Sequence, residues 1–225
     1  MNNLKRKRKK NLAPRLRYPL RKSISLVGLM GSGKTTVGVR LARRLNLQFM
    51  DSDQEIEAAA GHTVAEIFEK FGEDDFRKGE RRVINRLVSQ DKKIVLGTGG
   101  GAFMDSKTRG RLKRQSIVIW LKVDVDLLVE RTSRRNTRPL LQKGNPEKIL
   151  KKLTEERYPV YKEAHITVES GQGPHDKVVN DIIWKLNRYL AIEKKKYQKR
   201  LAKKKRLQKD LSEDAGKEDD NKNNS

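Results

Sequence analysis

Residues 23–45 read SISLVGLMGSGKTTVGVRLARRL, and this stretch decides the fold. Residues 23–29 are a short run of apolar and β-branched character, the pattern of a strand. Residues 28–35, GLMGSGKT, match G-x-x-x-x-G-K-[ST] at every fixed position. An amphipathic helical pattern follows over 34–45. Strand, glycine-rich turn and helix in that order form a cradle for nucleotide phosphates. Gly28, Gly31 and Gly33 allow the backbone to turn tightly and aim its N–H groups at one point. The helix N-terminus adds partial positive charge. Lys34 reaches the β- and γ-phosphates, and the Thr35 hydroxyl is placed for Mg²⁺. Gly31, Ser32, Gly33, Lys34, Thr35 and Thr36 are therefore the expected phosphate-binding set.

Outward from this motif the chain alternates. Residues 47–50, 94–96, 117–123 and 166–168 read as further strands. Helical patterns lie over 64–88, 124–131 and 146–157, and a last helix begins near His175. The alternation predicts an α/β fold with a parallel sheet covered on both faces. Right-handed crossovers put the C-terminal ends of all strands on one edge, where ligands bind. Residues 132–145, TSRRNTRPLLQKGN, are polar, basic and punctuated by Pro139 and Gly144, and read as a mobile loop between two helices, of a length that marks a functional or a disordered segment.

Asp51-Ser52-Asp53 follows the second strand at once, so both carboxylates point to one side if the strand continues. One is placed to hold the shell of a Mg²⁺, the other to accept a proton from a substrate hydroxyl. The competing reading makes Asp53 the cap of a helix starting at Gln54. The three histidines, His62, His165 and His175, are scattered, with no spacing for a zinc site.

Together with GLMGSGKT, five further segments resemble shikimate kinase in order and spacing. They are Asp51-Ser52-Asp53, Phe76-Arg77 with Glu80, Gly99-Gly100-Gly101, Arg138-Pro139-Leu140-Leu141, and Arg157 before Tyr158-Pro159-Val160-Tyr161. The resemblance covers residues 22–190. It implies a three-layer α/β/α fold of the nucleoside-monophosphate-kinase type, with a five-stranded parallel sheet in the order 2-3-1-4-5. It implies ATP-dependent phosphorylation of the 3-hydroxyl of shikimate, on the way to chorismate and aromatic amino acids. Asp53 would bind substrate hydroxyls and act as base, and Asp51 would sit near Mg²⁺. Arg77 and Arg157 would bind the substrate carboxylate, with Glu80 nearby and Gly99, Gly100 and Gly101 lining the pocket. Arg138 would reach the transferring phosphate from a closing lid. Arg131 would pack on adenine; Pro174 is the candidate opposite it, although residues 171–173 make that loop slightly short.

The chemistry of these residue types agrees. A carboxylate favours the planar fork of Arg. A polyol needs acceptors, and a flat ring needs glycines to approach backbone. Read singly, Arg77 is equally a solvated helix charge, residues 99–101 a plain loop, and Arg157 a helix C-cap. Arg138 is one of several arginines in a basic loop. The alternatives to shikimate are another small polyol acid, such as gluconate, or a nucleotide-regulated polyanion-binding protein.

The 225 residues carry a formal charge of +24, of which the two ends supply +15. Residues 1–22 hold ten Lys/Arg and no acid, and residues 194–209 hold ten and no acid. These ends lie outside the resemblance. The expected organisation is a basic extension over 1–22, the kinase-like domain over 23–190, and a charged extension over 191–225 that is partly helical and then disordered from about Asp210. Runs of this kind contact polyanions through salt-dependent attraction. The absence of Cys, of a secretory signal and of any long apolar run points to a cytoplasmic protein without a membrane span. A monomer is the expected state.

Overall fold

The computed structural model of the chain describes residues 13–133 and 145–222, with side chains as far as Lys204. Five strands, β1 (Ser23–Val27), β2 (Gln48–Asp51), β3 (Ile94–Gly97), β4 (Ser116–Lys122) and β5 (Ile166–Glu169), form one sheet. All pairs are parallel and the order is β2-β3-β1-β4-β5. Seven helices surround it among the described residues: α1 (Lys34–Leu45), α2 (Ser52–Ala60), α3 (Val64–Val88), α4 (Ser106–Gln115), α5 (Val125–Ser133), α6 (Pro146–Tyr161) and α7 (His175–Lys222).

The strand sequences explain the layers. On β4, Ile117, Ile119 and Leu121 face one apolar cluster, shared with Val37 and Leu41 of α1 and with Ile182, Ile183 and Leu186 of α7. Val118 and Trp120 face the other, with Ile84 and Leu87 of α3, Leu112 of α4, and Leu150 and Tyr161 of α6. Successive side chains alternate sides, so a strand buried on both faces is a continuous apolar run.

The helix ends follow local chemistry. Asn46 closes α1 in the left-handed region at φ 54°, where asparagine is tolerated. Thr63 and Glu66 form a reciprocal capping box at the start of α3. Gly72 interrupts α3 at φ 79° and ψ 174°, a backbone conformation closed to other residues, and the helix kinks there.

Several boundaries differ from those read in the sequence. The first strand ends at Val27, because Gly28 already turns into the cradle. Helix α4 stands between β3 and β4, where the sequence showed no helix; its residues SKTRGRLKRQ bury only Thr108 and Leu112. Helix α6 continues past Arg157 and through Pro159 to Tyr161, the proline falling in its last turn. Helix α5 takes in Thr132 and Ser133, the first residues of the predicted loop; residues 134–144 of that loop lie outside the described residues. Helix α7 runs through the acidic stretch after Asp210 as far as Lys222, where the composition alone suggests no fixed structure.

Leu186 is fully buried on α7, whereas Leu201, four turns further on, is 43% exposed. Leu186→Ala is expected to lower unfolding free energy by about 2–5 kcal/mol. Leu201→Ala should change it by less than about 0.5 kcal/mol. Urea denaturation followed by circular dichroism measures both. Equal effects would place Leu201 inside the packed domain.

Candidate active site

The cradle stands at the C-terminal end of β1. Gly31 and Gly33 hold φ of 79° and 88°, and Gly33 is the residue from which α1 begins. The Lys34 ammonium folds back over the loop, donating to the Gly28 and Leu29 carbonyls at 2.9 Å each. Thr35 and Thr36 face the same cavity of about 390 Å³. Ser32 is buried behind it, and its carbonyl accepts from the Ser170 hydroxyl at 3.2 Å.

The turn from β2 into α2 brings the carboxylates to this cavity. The cap of α2 is Asp51, not Asp53: the helix begins at Ser52, and Asp51 accepts from the Asp53 N–H at 3.1 Å. Its other oxygen accepts from the Thr35 hydroxyl at 3.2 Å. Because the chain turns helical after Asp51, the two carboxylates do not share one strand face. Asp53 reaches away from the cap toward the loop after β3, and both still line the cavity. Ser52, between them, accepts the Gly99 N–H at 3.0 Å and so ties the end of β2 to that loop.

Around the loop after β3, side chains crowd the glycine backbone. A Cβ on Gly99 would lie 2.6 Å from Asp53 Oδ1 and 3.1 Å from Glu80 Oε1. A Cβ on Gly101 would lie 2.6 Å from Arg77 Nη2. Without a Cβ at these positions the backbone lies this close to the Asp53 carboxylate and the Arg77 guanidinium; a methyl group would make them shift. The Gly100 carbonyl accepts two bonds, from Arg157 Nη1 at 3.0 Å and from the Tyr161 hydroxyl.

Arg77 is fixed between two acids. Its Nη1 donates to Glu80 Oε2 at 2.8 Å and its Nη2 to Glu73 Oε1 at 3.0 Å. Burial works against the Arg77 charge, but Glu80 and Glu73 outweigh it and raise its proton affinity above the ordinary value. Glu80 is 1% exposed. Burial pushes its carboxyl above the usual range, against the pull of Arg77, and the charges of Asp53 and Asp105 add to the rise. Its Oε1 has no hydrogen-bond partner among the described residues.

On the far side of the cradle, Arg131 Nη2 donates to the Gly171 carbonyl at 2.8 Å, with weaker reach to Gly31 and Ser170. Burial lowers its proton affinity. His175, at the start of α7, also lines the cavity. Partial burial, then Arg40 and Arg131, lowers its affinity for a proton.

The structure thus gathers Lys34, Thr35, Thr36, Asp51, Asp53, Gly100 and Arg131 around one cavity. Arg77, Glu80, Gly99, Gly101 and Arg157 do not line it; they cluster around the loop after β3, which meets it at Gly100. Arg138 lies outside the described residues. No role is read from the sequence for Ser52, Glu73, Tyr161 or His175. Ser52 and Tyr161 fall inside quoted segments, His175 is read only as a scattered histidine at the start of the last helix, and Glu73 carries no signal. Burial pushes the Tyr161 hydroxyl up to about 12, against the pull of Arg157, so it stays a donor to Gly100 at neutral pH.

The family model for shikimate kinase matches residues 30–187. A shikimate kinase of Bradyrhizobium diazoefficiens is 51% identical over 172 residues, covering 76% of this chain and 83% of its own length. One from Paramagnetospirillum magneticum is 49% identical over 183 residues, covering 81% and 93%. Among solved structures, shikimate kinase from Acinetobacter baumannii in complex with shikimate superposes with a TM-score of 0.69 at 45% identity, over 77% of this chain and 94% of that one. With the family model spanning well over half of the sequence and relatives near half identity over most of their own length, the chain belongs to the shikimate kinase family.

Proposed function

We infer that this chain transfers the γ-phosphoryl group of ATP to the 3-hydroxyl of shikimate, giving shikimate 3-phosphate and ADP. The observation that carries the reading is the approach of Asp53 to the three-glycine loop, within the cavity that also holds Lys34 and Thr35. A ring lying on the backbone of residues 99–101 has a carboxylate at its hydroxyl edge on the phosphate side. It has Arg77 and Arg157 for its own carboxylate on the other. The relative from Acinetobacter, 45% identical, is described with shikimate bound.

In this reading each group has one task. Asp53 accepts the proton of the attacking hydroxyl. Lys34 exchanges its two neutral carbonyl partners for phosphate oxygens, a charge-assisted bond of greater strength. The Thr35 hydroxyl and Asp51 carboxylate are hard oxygen donors beside the cradle, and they fit Mg²⁺, which takes one or two protein ligands alongside water and phosphate. When bound, that ion neutralises charge on the β- and γ-phosphates. Arg131 packs on the adenine side. Arg138 is assigned to the transferring phosphoryl group on its motif alone. Glu80 holds Arg77 in place and offers its unpartnered oxygen to a substrate hydroxyl. Among the described residues no helix is long and apolar enough to cross a membrane. A cytoplasmic monomer belongs to the same reading, the compartment resting on the cysteine-free composition.

The test is ADP release measured with shikimate, quinate, gluconate and nucleoside monophosphates as acceptors. Shikimate alone should support rapid turnover; equal rates with gluconate would overturn the assignment. Lys34→Ala should lower turnover by about two to three orders of magnitude with the fold intact by circular dichroism. Near-normal turnover in that folded variant would end the kinase reading.

Arg77→Ala removes one charge-assisted contact to a carboxylate, worth about 1.5–3 kcal/mol. Its shikimate KM should rise by about ten- to hundredfold with little change for ATP. Parallel loss for both substrates would mean that Arg77 serves the fold. Gly99→Ala places a methyl group against Asp53 and should lower kcat/KM for shikimate by about ten- to hundredfold. ATP binding, read by calorimetry, should hold. An unaffected kcat/KM would show that the acceptor does not lie on this loop.

A further inference from the structure

The N-terminal arm and the end of α7 come from opposite ends of the chain, and neither belongs to the site above. In residues 13–20, Pro14, Leu16, Tyr18 and Leu20 are half-buried while Ala13, Arg15, Arg17 and Pro19 are exposed. This is extended chain with one face on the protein. Leu16 and Leu20 pack against the cluster that α7 shares with the sheet. Asn187 of α7 clamps the arm's backbone twice. Its Oδ1 accepts the Arg17 N–H at 2.7 Å, and its Nδ2 donates to the Arg15 carbonyl at 2.9 Å. Two cation–π contacts continue the join: Lys194 Nζ lies 5.7 Å from the centre of the Tyr18 ring, and Arg21 Cζ 5.1 Å from that of Tyr197.

The exposed Arg15, Arg17, Arg21 and Lys22 therefore stand beside the stretch where α7 leaves the domain. From Lys194 to Lys204 that helix carries seven Lys/Arg, all exposed, and no acid. They occupy about 16 Å of helix axis. At 100° per residue they spread around most of the circumference, and the exposed Ile192 and Leu201 point in opposite directions. A helix lying in a membrane interface needs one broad apolar face, and this one has none. Charge on nearly every side suits a polyanion whose phosphates flank the helix. Tyr18 and Tyr197 already carry a cation on the ring, so they are poorly placed to stack bases.

We propose that the arm and the emergent part of α7 form one composite cationic surface that binds the phosphate backbone of nucleic-acid duplexes without regard to sequence. Phosphate contacts position a protein but carry no base information. The surface lies at the N-terminal edge of the sheet, where Tyr18, Tyr189 and Tyr197 meet Ile117 at the start of β4. Nineteen residues of helix, about 28 Å, separate Lys194 from His175 at the phosphate cradle.

The experiment uses the full chain and short fluorescent duplexes of mixed sequence, DNA and RNA, with binding followed by polarisation between 50 and 200 mM salt. Two double variants dissect the surface: Arg15→Gln with Arg17→Gln on the arm, and Lys195→Gln with Lys199→Gln on the helix. Each pair should weaken binding by about one to two orders of magnitude at 100 mM salt. Each should also flatten the slope of log affinity against log salt by about two contacts. ADP release from shikimate kinase turnover should be unchanged in both, which shows that the variants fold. If the arm pair binds duplex as the parent does, the composite surface is wrong. If phosphatidylglycerol vesicles capture the protein more tightly than either duplex at equal salt, the partner is wrong.

Discussion

The turn from β2 into α2 is the constraint on which the site depends. Because the helix starts at Ser52, three consecutive side chains leave the chain in three directions. Asp51 goes to the cap and to Thr35, Ser52 to the Gly99 N–H, and Asp53 to the space between. A strand continued through these residues would send Asp51 and Asp53 to one side and Ser52 to the other. The cap therefore joins the phosphate cradle on β1 to the glycine loop after β3, which are otherwise separate ends of separate strands. Parallel pairing of Asp51 with Gly97 sets the height at which the junction forms.

The acceptor side is costly as it stands. Glu80 is buried with one oxygen unpartnered among the described residues, and a buried acceptor without a hydrogen bond costs about 1–3 kcal/mol. Arg77 offsets part of that through its 2.8 Å bond, and Glu73 holds the other end of the guanidinium. In the proposed reading a polyol would deliver hydroxyl donors to such an oxygen, and its carboxylate would meet the Arg77 guanidinium. In the proposed complex, then, binding relieves a strain already present in the free protein, and the discrimination falls on hydroxyls and carboxylate together.

Local signals were legible, and contacts between distant segments were not. The strand, glycine turn and first helix lie within residues 23–45, and helix α1 runs over the same residues that its periodicity marks. Helix α4 escaped because it buries only Thr108 and Leu112; a helix so polar has almost no apolar stripe to read. Of the candidate residues read from the sequence, Gly31, Gly33, Lys34, Thr35, Thr36, Asp51, Asp53, Gly100 and Arg131 line one cavity, while Arg77, Glu80, Gly99, Gly101 and Arg157 cluster around the neighbouring glycine loop and Arg138 lies outside the described residues. What supports them was invisible. Ser52 bonds a residue 47 positions away and Tyr161 one 61 away, so neither has a local pattern. Asp53 is the competing cap in the sequence because Asp is favoured there; the helix begins two residues earlier than the Gln54 start that reading assumes, at Ser52. The join of the arm to α7 spans 170 positions, and no composition argument places those two basic segments side by side.

That join also decides what the surplus charge can do. The phosphate cradle gathers its own cations, Lys34 and Arg131, with Arg77 and Arg157 in the adjoining pocket. Helix α7 starts at the cradle with His175 and carries its lysine cluster to the opposite edge of the sheet. Dissolved ions screen exposed charges from one another beyond about 8 Å at physiological ionic strength. The roughly 28 Å of helix between His175 and Lys194 is more than three such lengths. Cations at that distance neither stabilise developing charge on a phosphoryl group nor steer a small anion into the pocket with any strength. The same helix thus separates two electrostatic regions: a cleft whose few arginines and lysine are held by named partners, and a rim whose cations are exposed, some of them resting on tyrosine rings. A sequence that needed the second set for the first purpose would place it within a Debye length of the cradle, and this fold places it about 28 Å along its longest helix.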